Sequence, residues 1–288
     1  MRVLIAGCGD LGTEAGLRFA AAGFSVLGWR RSPEHLPSGI TGQAADLTGE
    51  LPRIPAGTDV VVLAAAAGER TEAAYRAAYV DGTANVLDAL ERDGVRPGRI
   101  IFVSSTAVYG DADGGEVDED TDPAPASATG AVILEAERLL HDRRPDAVVL
   151  RLAGIYGPGR TRLIDAVAGG TAVVPAGSQL TNRIHRDDAA AAIVHLGTSV
   201  SHPAPVYVGV DREPVEMADV LEFLAAELGR DLPPAPSGTD GGSARTGSRG
   251  GNRRLSSRRL TDTGFEFTYP SYREGYRAVL AGTGVRHP

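Results

Sequence analysis

An apolar run at 2–6 ends in Gly7-Cys8-Gly9-Asp10-Leu11-Gly12, and a helical pattern begins inside that hexapeptide. Leu11, Ala15, Phe19 and Ala22 fall on one face at helical spacing, and Gly23 stops the helix. A strand, a G-x-G-x-x-G turn and a helix in that order dictate a tight crossover. Gly7 permits the turn, Gly9 lets the backbone approach a ligand, and Gly12 lets helix and strand pack closely. The first turn of such a helix carries unpaired N–H groups and the positive end of the helix dipole, which stabilise a pyrophosphate. The arrangement predicts dinucleotide binding at Gly7, Gly9, Asp10, Leu11 and Gly12. The bland alternative is a glycine turn with no ligand.

Further strand-like runs lie at 24–29, 59–67, 99–104 and 146–152, with helical patterns at 71–92 and 126–143. Continuous Val/Ile/Leu runs separated by helices predict a parallel sheet covered on both faces, an α/β Rossmann-type doubly wound fold. After residue 152 the pattern loosens. An Ala-rich helix is expected at 187–197, a strand at 205–210, a helix at 216–229 stopped by Gly229, and a helix at 271–280. The Gly-, Ser- and Pro-rich stretch 233–251 reads as a mobile loop. A dinucleotide-binding domain over 1–151 is expected, with a smaller C-terminal substrate lobe formed mainly by 152–288. Segments near 185–210 return to the sheet.

Composition removes other classes. Hydrophobic residues at 42% and charged residues at 23% exclude disorder as the main state. Asp and Glu number 37 against 29 basic residues, a net charge of −8, which argues against nucleic-acid or membrane-surface partners. The single cysteine, Cys8, excludes an internal disulfide and a cysteine-cage metal site, and no metal is expected. No apolar run approaches the roughly 20 residues of a spanning helix, and Met1–Ile5 has no signal-peptide layout. The expectation is a cytoplasmic protein acting on a small molecule. Every basic residue is arginine, so a P-loop lysine, a Schiff-base lysine and a Tyr-x-x-x-Lys pair are all excluded.

The second strand ends Gly28-Trp29-Arg30-Arg31-Ser32, without the carboxylate that accepts from an NAD ribose. Arg30 and Arg31 offer two guanidiniums to a 2′-phosphate, so NADP is expected, with NAD the alternative. Asp46 and Leu47 follow the third strand. They either hold the adenine edge or, for Asp46, make only a turn.

These segments together make the chain resemble an atypical extended short-chain dehydrogenase/reductase, of the NAD(P)-dependent epimerase/dehydratase-like group. The carrying segments are GCGDLG at 7–12, ADL at 45–47, VLAAAA at 62–67, SSTAVYG at 104–110, RLAGIYGPG at 151–159 and RIHRDD at 183–188. The resemblance implies that Ser105 hydrogen-bonds the reacting oxygen and that Ala64, Ala65 and Ala66 line the cofactor. It implies that Arg183 and His185 help form the substrate site, and that helices 71–92 and 126–143 serve a homodimer. The family's Tyr-x-x-x-Lys is replaced by Thr129 and Ile133. A threonine hydroxyl does not act as a tuned phenol near neutral pH.

The remaining candidates stay open. Tyr109 and Tyr156 follow strands and are expected to face the cleft, Tyr109 as a proton donor or a packing group, Tyr156 for packing. His185 is either a general acid or a cap for the following helix. The acidic run 111–122 lacks metal-loop spacing and reads as a solvated lid. Of the arginines at 245–259, Arg254 is the candidate for an anionic substrate group. The expected activity is hydride transfer to or from a carbonyl/alcohol or imine/amine carbon without the Tyr-Lys relay. A nucleotide-sugar epimerase or dehydratase and a non-catalytic NADP sensor are the alternatives.

Overall fold

The computed structural model describes residues 1–232 and 251–288. The expected mobile loop at 233–251 therefore lies outside the described residues except for Gly251, as do Arg245 and Arg249. From the N-terminus run β1 (Arg2–Ala6), α1 (Asp10–Ala21), β2 (Ser25–Arg30), β3 (Ile40–Ala44) and β4 (Thr58–Leu63). Next come α2 (Glu72–Tyr75), a π-helical turn at Arg76–Asp81, and α3 (Gly82–Arg92). The single helix expected at 71–92 is thus widened in the middle, and the widened turn stacks Tyr75 on Tyr79 with centroids 5.5 Å apart.

Then follow β5 (Arg99–Ser105), β6 (Glu116–Val117), α4 (Ala128–Arg143), β7 (Val148–Leu152), β8 (Gly154–Tyr156) and α5 (Arg162–Ala168). The C-terminal half adds β9 (Leu180–Thr181), β10 (Arg183–His185), α6 (Arg186–Thr198), β11 (Val206–Gly209), β12 (Val215–Glu216) and α7 (Met217–Leu228). The last elements are β13 (Arg254–Leu255), α8 (Arg258–Thr261) and α9 (Tyr272–Leu280).

The central sheet has seven strands in the order β11-β7-β5-β4-β1-β2-β3, all paired in parallel. It is doubly wound. In β1, Val3 and Ile5 face a core shared with α1 and α6, while Leu4 and Ala6 face the core under α3 and α4. Period-2 alternation with apolar residues on both faces is why such strands read as unbroken hydrophobic runs. The strand order reverses between β1 and β4, and the crevice at their carboxyl ends is where ligands bind in open parallel sheets. A separate cluster of Tyr156, Val167, Leu221, Leu224, Tyr272 and Tyr276 forms the core of the pieces after β7. β11 adds to β7, so the chain returns to the sheet before α7. Gly229 ends α7 in the left-handed region at φ 61°.

Candidate active site

The loop between β1 and α1 is braced from two sides. Gly7 and Cys8 donate their N–H groups to the Trp29 carbonyl at 3.1 and 2.8 Å. Gly7 has φ +90°, and a Cβ there would lie 2.6 Å from the Ala65 nitrogen. Only glycine fits between β1 and the Ala64–Ala65 backbone. A Cβ on Gly12 would lie 2.9 Å from the Gly7 oxygen, the close helix–strand approach expected of the third glycine. A Cβ on Gly9 would meet nothing within 4 Å. That open space, at the start of α1, is the cradle a pyrophosphate fits, so the residues present suit a dinucleotide. Cys8 is buried and its thiol is pushed up to about 11 by burial, which makes it inert.

The structure brings Gly7, Gly9, Asp10, Leu11, Gly12, Arg30, Arg31, Ala64, Ala65 and Ala66 to the carboxyl ends of β1, β2 and β4. The Asp10 carboxylate would repel a nearby anion, yet it accepts from Arg186 Nη1 at 2.7 Å and Arg160 Nε at 2.9 Å. Arg186 is 1% exposed and is also bonded to Asp187. Arg31 is exposed, and Arg30 is half-buried with Nη1 donating to the Pro288 carbonyl at 2.7 Å. Asp46 Oδ1 accepts from the Thr48 N–H and hydroxyl. Those bonds hold its carboxyl below the usual range and make Asp46 a turn residue, with its second oxygen left over. Leu47 is half-buried, and its carbonyl accepts from Asn85.

Ser104 and Ser105 end β5 and point to opposite faces. Ser104 is buried and donates to Glu137, which also receives a bidentate pair of bonds from Arg151, Nε to Oε1 at 3.1 Å and Nη2 to Oε2 at 2.6 Å. Ser105 is half-buried, and its hydroxyl accepts from the Ala107 N–H at 3.2 Å, leaving its own hydrogen to donate. Tyr109 does not open onto the cleft as expected. It is 2% exposed, and its phenol oxygen accepts from Arg151 Nη1 at 2.8 Å. Burial raises its pKa. The physical reason is the Glu137–Arg151 pair, which leaves one guanidinium donor that the phenol satisfies. Tyr156 packs between His185 and Tyr276, its phenol pushed up by burial. A Cβ on Gly275 would lie 1.9 Å from its hydroxyl. At the family's tyrosine position Thr129 is half-buried near the start of α4, and at its lysine position Ile133 is buried among Val108, Tyr109 and Leu134.

His185 caps α6. Its Nδ1 accepts from the Asp187 N–H at 3.2 Å, and the ring is 1% exposed. Burial lowers its pKa to about 4, so the ring is neutral at physiological pH. Arg183 is buried, bonds Thr181 Oγ1 at 2.5 Å, and lies over Tyr272 and Tyr276. Arg183 Nη1, Asp211 Oδ2 and the Tyr272 hydroxyl are buried without a hydrogen-bond partner among the described residues. The Asp211 N–H donates to the Arg183 carbonyl at 2.8 Å, and burial pushes its carboxyl up to about 7. Asp211 and Tyr272 escaped the sequence reading. The available signal was a carboxylate ending the apolar run 206–210.

The Arg254 side chain is exposed and donates to the Gly114 carbonyl. The neighbour Arg253 is the one turned inward, 1% exposed, donating to the carbonyls of Thr106, Tyr109 and Gly110 at 2.5, 2.9 and 2.6 Å. Arg253 immediately precedes β13, whose first residue is Arg254, and the two side chains point to opposite sides. The acidic run is more than a solvated lid. β6 pairs with β13, and the Glu119 side chain is 3% exposed, accepting from the Val208 N–H at 2.7 Å.

The sequence matches the NAD dependent epimerase/dehydratase family over residues 3–209. The chain belongs to that family, a group of NAD-dependent enzymes, so a nicotinamide dinucleotide is its cofactor class. It is 30% identical over 282 residues to Protein YeeZ of Escherichia coli K12, covering 93% of this chain and 96% of the relative. It is 30% identical over 262 residues to the N-acetyl-alpha-D-glucosaminyl-diphospho-ditrans,octacis-undecaprenol 4-epimerase of E. coli O157:H7, covering 83% and 77%. A Streptomyces 3-diazoavenalumate denitrifying reductase is 28% identical over 307 residues, with 96% and 99% covered. A solved structure from Methylobacillus flagellatus, named for the NAD-dependent epimerase/dehydratase class, superposes with a TM-score of 0.79. It is 36% identical, with 98% of each chain covered. Among the described residues no helix is long and apolar enough to cross a membrane.

Proposed function

We propose that this protein is an NADP-preferring oxidoreductase acting on a carbonyl/alcohol or imine/amine carbon of a polar small molecule. The observation that carries the reading is Ile133, 2% exposed in an apolar cluster where the family's lysine would stand. A site without an ammonium beside a phenol lacks the tuned acid/base of epimerisation, whereas hydride transfer needs mainly proximity and orientation.

A bound nicotinamide supplies or accepts the hydride. Ser105, already accepting from Ala107 N–H, donates its hydroxyl hydrogen to the reacting heteroatom. Arg183 Nη1 receives an anionic or carbonyl group of the substrate, and Asp211 Oδ2 accepts from a neighbouring donor on it. Solvent delivers the final proton, because Tyr109 is held by Arg151. The protein works as a homodimer built on α3 and α4.

The reductase relative favours this reading, and the relative named as a 4-epimerase of an undecaprenol-diphospho-linked sugar favours epimerase chemistry, so epimerase or dehydratase action on a nucleotide-linked sugar stays the second reading. The test is a turnover screen with NADPH and NADH against carbonyl, imine and nucleotide-sugar panels. NADPH oxidation with a carbonyl or imine supports the proposal. Sugar isomerisation without net cofactor turnover replaces it with the second reading, and cofactor binding with no turnover anywhere points to a sensor.

A further inference from the structure

The chain beyond α9 crosses three of the elements that build the dinucleotide site. Arg286 Nη1 donates to the Gly159 carbonyl at 2.7 Å. Gly159 has φ +66°, and a Cβ there would lie 2.7 Å from the Arg286 Cβ, so the approach needs glycine. Arg186 Nη2 donates to the Val285 carbonyl at 2.8 Å. The His287 N–H donates to Asp10 Oδ1 at 3.2 Å, and His287 Nε2 lies 2.9 Å from Glu14 Oε2 on the second turn of α1. Finally the Pro288 carbonyl accepts from Arg30 Nη1 at 2.7 Å. The segment thus runs from the Pro158–Gly159 loop, past the first turn of α1, to the end of β2.

We propose that residues 283–288 are an intramolecular strap on the adenosine end of the cofactor site, competing with the 2′-phosphate for Arg30. This rests on the reading that Arg30 binds that phosphate. The strap is held by polar contacts, several of them to its backbone, and its one large apolar side chain, Val285, is 69% exposed. No apolar anchor has to be pulled from a core when it leaves. A phosphate offers the guanidinium charge-assisted bonds to more than one oxygen, against the single bond from the Pro288 oxygen. A ligand carrying the 2′-phosphate therefore displaces the strap, and one lacking it leaves the Pro288–Arg30 bond in place. The strap acts as a filter, lowering the affinity for the phosphorylated cofactor by the fraction of molecules in which it is closed.

The experiment compares the full chain, the chain ending at Gly282 and the full-length His287→Ala variant. Each is titrated calorimetrically with 2′,5′-ADP and with 5′-AMP. Truncation is expected to tighten 2′,5′-ADP by about three- to tenfold while 5′-AMP changes by less than about twofold. His287→Ala, which keeps the chain length and removes only the Glu14 contact, is expected to move the same way by a smaller factor. It serves if the shorter chain does not fold. In the full chain, 2′,5′-ADP is expected to speed tryptic cleavage after Arg286, read by mass spectrometry under native conditions. If the full chain prefers 2′,5′-ADP over 5′-AMP but neither variant tightens it, the strap is overturned and the Arg30 reading stands. Equal affinity for the two probes in every chain overturns both. Protection of the Arg286–His287 bond, or an unchanged rate of its cleavage, also overturns competition.

Discussion

Arg151 donates through Nη1 to the phenol oxygen of Tyr109 at 2.8 Å while its other donors clamp Glu137. Arg151 lies in β7 and Tyr109 follows the turn after β5, and the bond turns the phenol away from the cleft into the protein. Tyr109→Phe is expected to lower stability by about 1–3 kcal/mol, because a buried guanidinium donor loses its acceptor. Turnover should stay within about threefold, whereas Ser105→Ala should lower it by about tenfold or more. Thermal unfolding and steady-state kinetics on both variants check this. A Tyr109→Phe enzyme with an unchanged Tm and little turnover would make Tyr109 the proton donor after all.

Arg30 and Arg31 are expected to set cofactor choice. The double substitution Arg30→Ala with Arg31→Ala should weaken NADPH by about tenfold, equivalent to about 1.4 kcal/mol, while NADH changes by less than about twofold. Calorimetry with both cofactors measures it. A parent protein that binds the two equally well would reduce these arginines to surface charge.

Arg253 is expected to behave unlike its neighbour. It ties the Thr106–Gly110 segment directly behind Ser105 to β13 through three carbonyls. Arg253→Met should lower both Tm and kcat, and Arg253→Lys should recover only part, since an ammonium does not span three acceptors as a planar fork does. Arg254→Ala should leave kcat and Tm close to the parent values. Comparable losses at both positions would mean that the inward and outward assignments of Arg253 and Arg254 are wrong.

The sheet was legible because strands covered on both faces are written as unbroken apolar runs, and the β1–α1 turn because three glycines each answer a separate steric demand. What stayed hidden has a common cause. β6, β9, β12 and β13 have two residues each, too few to show a period, so nothing in the sequence says which of Arg253 and Arg254 points inward. Tyr109 was placed from its motif, but its direction depends on Glu137 and Arg151, which are distant in sequence and meet only in the fold. Asp211 reads as the polar end of a strand until its N–H meets the Arg183 carbonyl of β10 and the fold buries it. The contacts of His287 and Pro288 with Asp10, Glu14 and Arg30 join residues more than 250 positions apart, a pairing that no local pattern encodes.

His185 and Asp211 should give the stability profile two opposing limbs. Burial lowers the His185 ring from 6.5 to about 4, so the folded state resists its protonation, and its contribution is lost as pH falls through that interval. Burial raises Asp211 from 3.8 to about 7, against the attraction of Arg183. Between those values the folded state binds more protons than the unfolded chain, so the Asp211 contribution is complete below about pH 4 and lost as pH rises towards 7. Asp211→Asn removes the second limb. Its Tm relative to the parent should be higher at pH 8 than at pH 4.5 by at least about 4 °C, taking about 2 °C per kcal/mol for a chain of this size. His185→Gln should do the reverse, gaining relative to the parent as pH drops from 6.5 to 4.5. Circular-dichroism melts across that range decide it. An Asp211→Asn difference that is flat with pH would mean that the carboxylate is ionised and paired at all these pH values, which the unpartnered Oδ2 argues against.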